Sequence, residues 1–265
     1  MTTNLYFVGG GNMAEAIIAA VASRRTGFPI GTIHVEDVRP ERVSLLAEKY
    51  GVLPAGPVDR PDAGIVVIAV RPQDDLVGVG RSVAERFGAD TVVVSIVAGY
   101  TIKQLEQVLG ADRPIVRIIP NTLTTTDYGY SGVALGAHAT QESVEGFLST
   151  FGKTLYVDES LIDVITGFYP PNIVYHFVDA LIDAGVLAGL PRDIATKIAI
   201  DNIVGGINLL TSEDVLPQVL LHRNNSPAGV GINLQYELER GGFAAVIHTA
   251  VLRAVARTTE LGRGE

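Results

Sequence analysis

The apolar run Leu5-Tyr6-Phe7-Val8 passes without a break into Gly9-Gly10-Gly11-Asn12-Met13-Ala14, and then into Glu15-Ala16-Ile17-Ile18-Ala19-Ala20-Val21-Ala22. The order is strand, glycine-rich turn, helix. The small residues fall at G-x-G-x-x-A spacing, and each has a mechanical task. Gly9 permits a tight turn out of the strand, Gly11 leaves the backbone open to a pyrophosphate, and Ala14 lets the helix lie close to a sheet. Unpaired N–H groups and the dipole at the helix start favour phosphate there. A glycine-rich turn that binds nothing is the competing reading; the uninterrupted strand–turn–helix order favours a dinucleotide site.

The rest of the first half repeats the rhythm. Short apolar runs at Ile33–Val35, Ile65–Val70, Thr91–Ile96 and Ile115–Ile119 alternate with helix-length stretches such as Pro40–Tyr50, and Gly132–Leu135 and Thr154–Val157 extend the series. All-apolar strands separated by helices predict a parallel sheet covered on both faces. After about residue 160 the apolar residues recur at helical spacing instead, through Ile173-Val174-Phe177-Val178-Leu181-Ile182, Ile194-Ile198-Ile203-Ile207-Leu210 and Val246-Ile247-Val251-Leu252-Val255. Pro191, Pro217 and Pro227 stand where helices could begin. The expected architecture is an α/β Rossmann-like domain over residues 1–158, then an all-helical domain over residues 159–265. The wide apolar arcs of those helices predict a homodimer formed through the helical domain, with a monomer whose helices form a compact bundle as the competing reading.

Composition narrows the function. The chain of 265 residues has no cysteine, which excludes disulfides, thiolate nucleophiles and Cys-ligated metals. A net charge of −9 and the absence of Trp argue against nucleic-acid binding. No apolar stretch reaches the roughly 18 residues of a membrane span, and no basic segment precedes the first apolar run, so a cytoplasmic protein without a membrane partner is expected. The histidines His34, His138, His176, His222 and His248 form no ligand cluster, so no metal site is expected. Neither a G-K-[ST] loop nor a G-x-S-x-G elbow occurs.

Taken together the motifs resemble the pyrroline-5-carboxylate reductase family. Gly9 to Ala14 resembles its G-x-G-N-M-A opening, Val70-Arg71-Pro72-Gln73 its V-K-P-Q, and Ser95-Ile96-Val97-Ala98-Gly99 its S-I-x-A-G. Arg117-Ile118-Ile119-Pro120-Asn121-Thr122 resembles R-x-M-P-N-T, and Asp183-Ala184-Gly185-Val186 with Gly189-Leu190 resembles D-A-G-V-x-x-G-L. Ser226-Pro227-Ala228-Gly229 resembles S-P-G-G, and Leu238-Glu239-Arg240-Gly241-Gly242-Phe243 resembles L-E-x-G-G-F. The resemblance spans essentially the whole chain. It implies reduction of a cyclic imine with NAD(P)H, by dimers or rings of dimers.

Two departures bear on substrate. Thr166-Gly167-Phe168-Tyr169-Pro170-Pro171-Asn172-Ile173 stands where the family has G-S-G-P-A-Y, and Val230-Gly231 replaces the two threonines of S-P-G-G-T-T. Valine and glycine supply no hydroxyl, so an imine other than pyrroline-5-carboxylate is the favoured expectation. An authentic proline-forming reductase and a non-catalytic dinucleotide sensor or partner subunit are the alternatives.

The cofactor set expected from turn, strand ends and resemblance is Gly9, Gly11, Asn12, Met13, Glu36, Asp37, Arg39, Val70, Arg71, Pro72, Ala98 and Asn121. Met13 fits core packing equally well. The acidic pair Glu36-Asp37 at the end of the second strand leans the choice between NADH and NADPH toward NADH. The catalytic candidates are Tyr169, Asn172, His176 and Asp179, with Tyr128 and Tyr130 further ones. His176 and Asp179 fall on one helical face, where a coupled pair could donate a proton near neutral pH. A purely structural histidine is the competing reading.

Overall fold

The structure is a computed structural model that describes all residues except 1, 24–26, 57, 60–61, 127, 169–170 and 264–265. Elements follow in the order β1 (Thr3–Val8), α1 (Asn12–Ala22), β2 (Ile30–Glu36), α2 (Pro40–Tyr50), β3 (Leu53–Pro54), β4 (Ile65–Ile68), α3 (Leu76–Arg86), β5 (Val92–Ser95), α4 (Ile102–Leu109) and β6 (Ile115–Pro120). Then come β7 (Tyr130–Leu135), α5 (Glu145–Leu148), β8 (Lys153–Tyr156) and α6 (Ile162–Phe168). The chain ends with α7 (Asn172–Leu187), α8 (Arg192–Glu213), α9 (Pro217–Asn224), α10 (Val230–Arg240) and α11 (Phe243–Arg263).

The strands form one sheet in the order β3-β2-β1-β4-β5-β6-β7-β8. β1 lies between β2 and β4, parallel to both, so the chain reverses its direction of travel across the sheet beside β1. Side chains alternate between two buried faces. Leu5, Phe7, Val67 and Val94 pack with Ile17, Ile18 and Val21 of α1 on one side. On the other, Tyr6, Val66, Ile68 and Val93 pack with Val83 of α3 and Leu105 of α4. Burial on both faces explains the unbroken apolar runs.

The expectation of an all-parallel sheet meets one exception, because β7 runs antiparallel to β6. Only residues 121–129 join the two, too few for a crossover helix, so the chain must turn straight back. Strand β3 escaped the sequence reading; it has two residues and ends on Pro54, as suits an edge. Pro191 and Pro217 do mark helix starts. Pro227 does not: α10 begins only at Val230, after a turn closed by Gly229 N–H donating to Ser226 O.

By spatial contact the chain divides into residues 1–169 with 251–265, and residues 170–250. This differs from a division at residue 158, for a physical reason. The Arg117 side chain, 1% exposed on β6, ion-pairs with Glu159 and Asp163 and ties that segment to the sheet. A Cβ on Gly167 would strike the Val255 backbone at 2.4 Å, and one on Gly99 the Gly262 backbone at 2.4 Å, so the end of α11 lies directly against the first unit's own residues. In the second unit, Ile182, Ala195 and Ala199 form a small core between α7 and α8. Phe177, Leu181, Ile198, Ile207, Leu209 and Leu234 stay exposed in the isolated chain. Apolar helix faces of this extent call for a partner surface. Among the described residues no helix is long and apolar enough to cross a membrane.

Replacing Arg117 by Met leaves two carboxylates without their cation. The expected loss is about 2–3 kcal/mol, below the full cost of breaking a buried pair because Glu159 and Asp163 keep partial access to water. Urea unfolding of R117M against the parent measures it.

Candidate active site

Three consecutive glycines build the turn after β1, for three different reasons. Gly9 has φ +100°, and a Cβ on it would lie 2.7 Å from the Ala69 carbonyl oxygen. Gly10 is buried, with a Cβ position 3.0 Å from the Leu46 side chain. Gly11 has an ordinary φ of −64°, and among the described residues none but its chain neighbours lies within 4 Å of its Cβ position. Nothing among the described residues demands glycine there, and its absence of a side chain leaves the backbone open to a ligand. Gly11 is also the N-cap of α1 and no side chain caps that helix, so its first N–H groups face an open space suited to an anion. Asn12 is exposed at the helix start, and Met13 packs partly against the core.

The two acids at the end of β2 have different partners. Glu36 accepts from the Tyr6 hydroxyl at 2.6 Å and from Arg86 Nη1 at 2.8 Å, which commits it to joining β1, β2 and α3. Burial, with Glu36 alongside, pushes the Tyr6 phenol far above its ordinary value. Asp37 instead faces the turn. Its Oδ2 accepts from Gly10 N–H at 2.8 Å, and its Oδ1 from Arg39 N–H at 2.9 Å and Arg39 Nε at 3.2 Å. Burial raises the Asp37 carboxyl, but these hydrogen bonds outweigh it and hold the group below its usual range. Arg39 is 57% exposed, and Val38 stands out in solvent beside it. Arg42, a residue the sequence reading passed over, donates to the Gly10 and Gly11 carbonyls and pairs with Glu15.

The remaining cofactor candidates lie just past the carboxyl ends of the parallel strands, where open α/β sheets bind ligands. Val70, Arg71 and Pro72 follow β4, with Arg71 exposed and paired to Asp74 at 2.8 Å. Ala98 follows β5 and is half-buried. Asn121 follows β6 and is 7% exposed; its Oδ1 accepts from Leu123 N–H, while its buried Nδ2 has no hydrogen-bond partner among the described residues. A buried donor left open at this edge matches a ligand acceptor such as a carboxamide. The cradle at Gly11, the uncapped α1 and the open Asn121 donor fit a nicotinamide dinucleotide.

The catalytic candidates are divided between the two units, and one lies outside what is described. Tyr169 lies outside the described residues. Asn172 opens α7, and His176 and Asp179 follow on the same helix, all three exposed. His176 and Asp179 share a face without a hydrogen bond or ion pair between them. Tyr128 and Tyr130 belong to the first unit, each with its ring near Lys153 Nζ, at 5.9 and 5.4 Å.

The segment from Ser226 to Gly231 is built around its own sequence. Ala228 adopts φ +56°, a left-handed conformation costly for a residue with a side chain. A Cβ on Gly231 would lie 2.7 Å from Asn225 Oδ1 and 2.9 Å from Asn224 O. The Asn225 carboxamide therefore occupies the space into which a side chain at 231 would grow. Its Nδ2 donates to Gln235 Oε1, and Gln235 Nε2 donates to Glu239 at 2.6 Å, so the amide is oriented from behind. Asn225, Ser226, Gln235 and His222 line a cavity of about 350 Å³ with Leu221 and Ile232.

Comparison with known proteins identifies the family. The family model described as pyrroline-5-carboxylate reductase dimerisation matches residues 159–261, and the one described as NADP oxidoreductase, coenzyme F420-dependent, matches residues 4–99. A pyrroline-5-carboxylate reductase of Mycobacterium tuberculosis is 32% identical to the chain, over 96% of this chain and 95% of that protein. The Escherichia coli pyrroline-5-carboxylate reductase is 30% identical, over 99% of this chain and 100% of that protein. The crystal structure of 1-pyrroline-5-carboxylate reductase from Streptococcus pyogenes superposes with a TM-score of 0.85 at 25% identity, covering 98% and 99% of the two chains. The match to the dimerisation model supports a homodimer, in keeping with the exposed apolar faces of the second unit. The chain belongs to the pyrroline-5-carboxylate reductase family of NAD(P)H-dependent oxidoreductases acting on CH–NH bonds.

Proposed function

We propose that this protein is an authentic pyrroline-5-carboxylate reductase, reducing the ring C=N of 1-pyrroline-5-carboxylate to give proline, with a preference for NADH. The observation that carries the reading is similarity along the whole chain to relatives of that name. The missing hydroxyls at 230 and 231 favour a different imine when the sequence is read alone, but the comparisons lend that preference no support. The local geometry supplies a physical reason to set it aside. Asn225 brings an oriented carboxamide into the space beside residue 231, so a hydrogen-bonding group remains on this segment.

A reduced nicotinamide held in this crevice would supply the hydride for the imine carbon. The protein binds and orients. Backbone N–H groups at Gly11 and the start of α1 hold phosphate, and Asn121 Nδ2 donates to the ligand at the strand ends. Arg71, Val70, Pro72 and Ala98 border the same edge of the sheet. A cyclic imine of moderate basicity arrives protonated, so the reaction needs an acceptor facing the ring N–H more than it needs a strong acid. Asn225 Oδ1 is suited to that, and Asn172, His176 and Asp179 are the polar groups that α7 contributes to proton handling. The place of Tyr169 in this set rests on sequence. The NADH preference rests on Asp37, which is held ionised beside the turn and so repels a 2′-phosphate. Glu36 takes no part in that choice, since Arg86 and Tyr6 occupy its oxygens.

Three outcomes follow. NADH oxidation in the presence of 1-pyrroline-5-carboxylate should yield proline by mass spectrometry; turnover confined to other cyclic imines would overturn the reading. Asp37→Asn should raise the ratio of kcat/KM for NADPH over NADH by about tenfold, the scale of one removed charge repulsion. Asn225→Ala should raise KM for the imine by about tenfold while KM for NADH stays within twofold, in steady-state kinetics with each substrate varied in turn.

A further inference from the structure

The Gly10 peptide is gripped from both sides by residues that follow β2. Its N–H donates to Asp37 Oδ2 at 2.8 Å, and its carbonyl accepts from Arg42 Nε. Arg42 Nη2 reaches Glu15 and, at 3.4 Å, the Gly11 carbonyl. The Arg42 side chain is 14% exposed, and its stem lies against Gly10, whose Cβ position is 3.5 Å from Arg42 Cγ. In a trans peptide the N–H points opposite to the C=O. The Gly10 carbonyl belongs to the peptide that carries the Gly11 N–H, and the Gly11 carbonyl to the one that carries the Asn12 N–H. The Gly11 carbonyl already accepts the first helical bond, from Glu15 N–H at 2.9 Å, which orients the Asn12 N–H along α1, whereas the Gly10 carbonyl is held by Arg42, which fixes the Gly11 N–H toward the opposite side. Around the Cβ position of Gly11 no described residue other than its chain neighbours lies within 4 Å, so this part of the backbone is uncovered. The cation also polarises both amides, which makes their N–H groups better donors to an anion.

We infer that Arg42 is a positioning residue for the dinucleotide pyrophosphate: from behind the turn it sets the direction of the Gly11 N–H without touching the cofactor. The inference rests on the proposed use of this crevice for NAD(P)H and goes beyond it by naming what holds the turn in its binding form. Arg suits the task better than Lys, because its planar fork reaches Gly10 O, Gly11 O and Glu15 together. Glu15, which also accepts from Lys49 at 3.2 Å and Tyr50 at 3.1 Å, anchors the guanidinium to α1.

The test is direct binding, which needs no turnover. Calorimetric titration of NADH and of ADP-ribose into the purified full-length protein is compared for the parent, Arg42→Gln, Arg42→Lys and Glu15→Gln. Arg42→Gln should weaken both ligands by about tenfold, since both carry the pyrophosphate, and Arg42→Lys should recover part of the loss. Glu15→Gln loosens the tie between α1 and α2 while leaving the grip on the carbonyls, and should stay within about threefold of the parent. Adenosine, which lacks phosphate, should bind the parent and Arg42→Gln alike. Equal losses in Arg42→Gln and Glu15→Gln would reduce Arg42 to a helix tie and overturn the inference. So would Arg42→Gln affinities for NADH within twofold of the parent. A parent that binds NADH in an Arg42-dependent way but makes no proline would sink the proposed reaction alone, and a parent that binds neither NADH nor NADPH would sink both.

Discussion

At the carboxyl end of β1 the chain turns away beneath the Ala69 carbonyl, and only a residue without a β-carbon can pass that point. Gly9 makes the turn with φ +100° while its N–H is held by the Glu36 carbonyl of the neighbouring strand. The place of the cradle follows from this squeeze between β1, β2 and β4. The turn has to lie at the place where the sheet order reverses, because β1 is paired on both sides. The helix that follows then points its uncapped start into the crevice left between diverging connections. A side chain at Gly9 would push the turn outward and carry the N–H groups with it.

Two adjacent acids show how fold geometry assigns chemistry. Glu36 and Asp37 have the same charged group and neighbouring positions. As the last residue of β2, Glu36 meets Tyr6 and Arg86 from within the sheet's helix-covered face. Asp37 has left the strand and meets the glycine turn. One carboxylate offsets a buried guanidinium that would otherwise be costly to bury. The other shapes the ligand side of the turn. The Gly10 amide is thereby removed from the donors open to phosphate, which leaves Gly11 and the start of α1.

The second unit shows the same logic of exchange. Where the family pattern has a threonine at residue 231, this chain has a glycine, and the freed volume holds the Asn225 carboxamide, oriented through Gln235 and Glu239. Neither change reads as sensible alone. A threonine at 231 would collide with Asn225 Oδ1 and the Asn224 backbone, and without the glycine the asparagine would have no room. The small core of this unit and its exposed apolar helices match a domain that completes its burial against a second copy.

Much of this was legible in the linear chain, and the reason is period. Glycine spacing after β1, unbroken apolar strands, and apolar residues at helical intervals each report a local geometry that repeats along the backbone, so the Rossmann-like unit, the helical half, the α2 boundaries and the Gly11 cradle could be read from residue order. Tertiary structure decided whatever depends on which partner a polar group meets. That Glu36 serves Arg86 while Asp37 serves Gly10, that Arg42 grips two carbonyls of the turn, and that Glu159 and Asp163 join the sheet through Arg117 are all contacts between segments far apart in sequence; that Asn225 fills the space beside Gly231 is a contact within one segment, set by how its turn folds. A side chain's type limits the bonds it can make, but only the folded packing brings one particular partner within reach of its donors and acceptors.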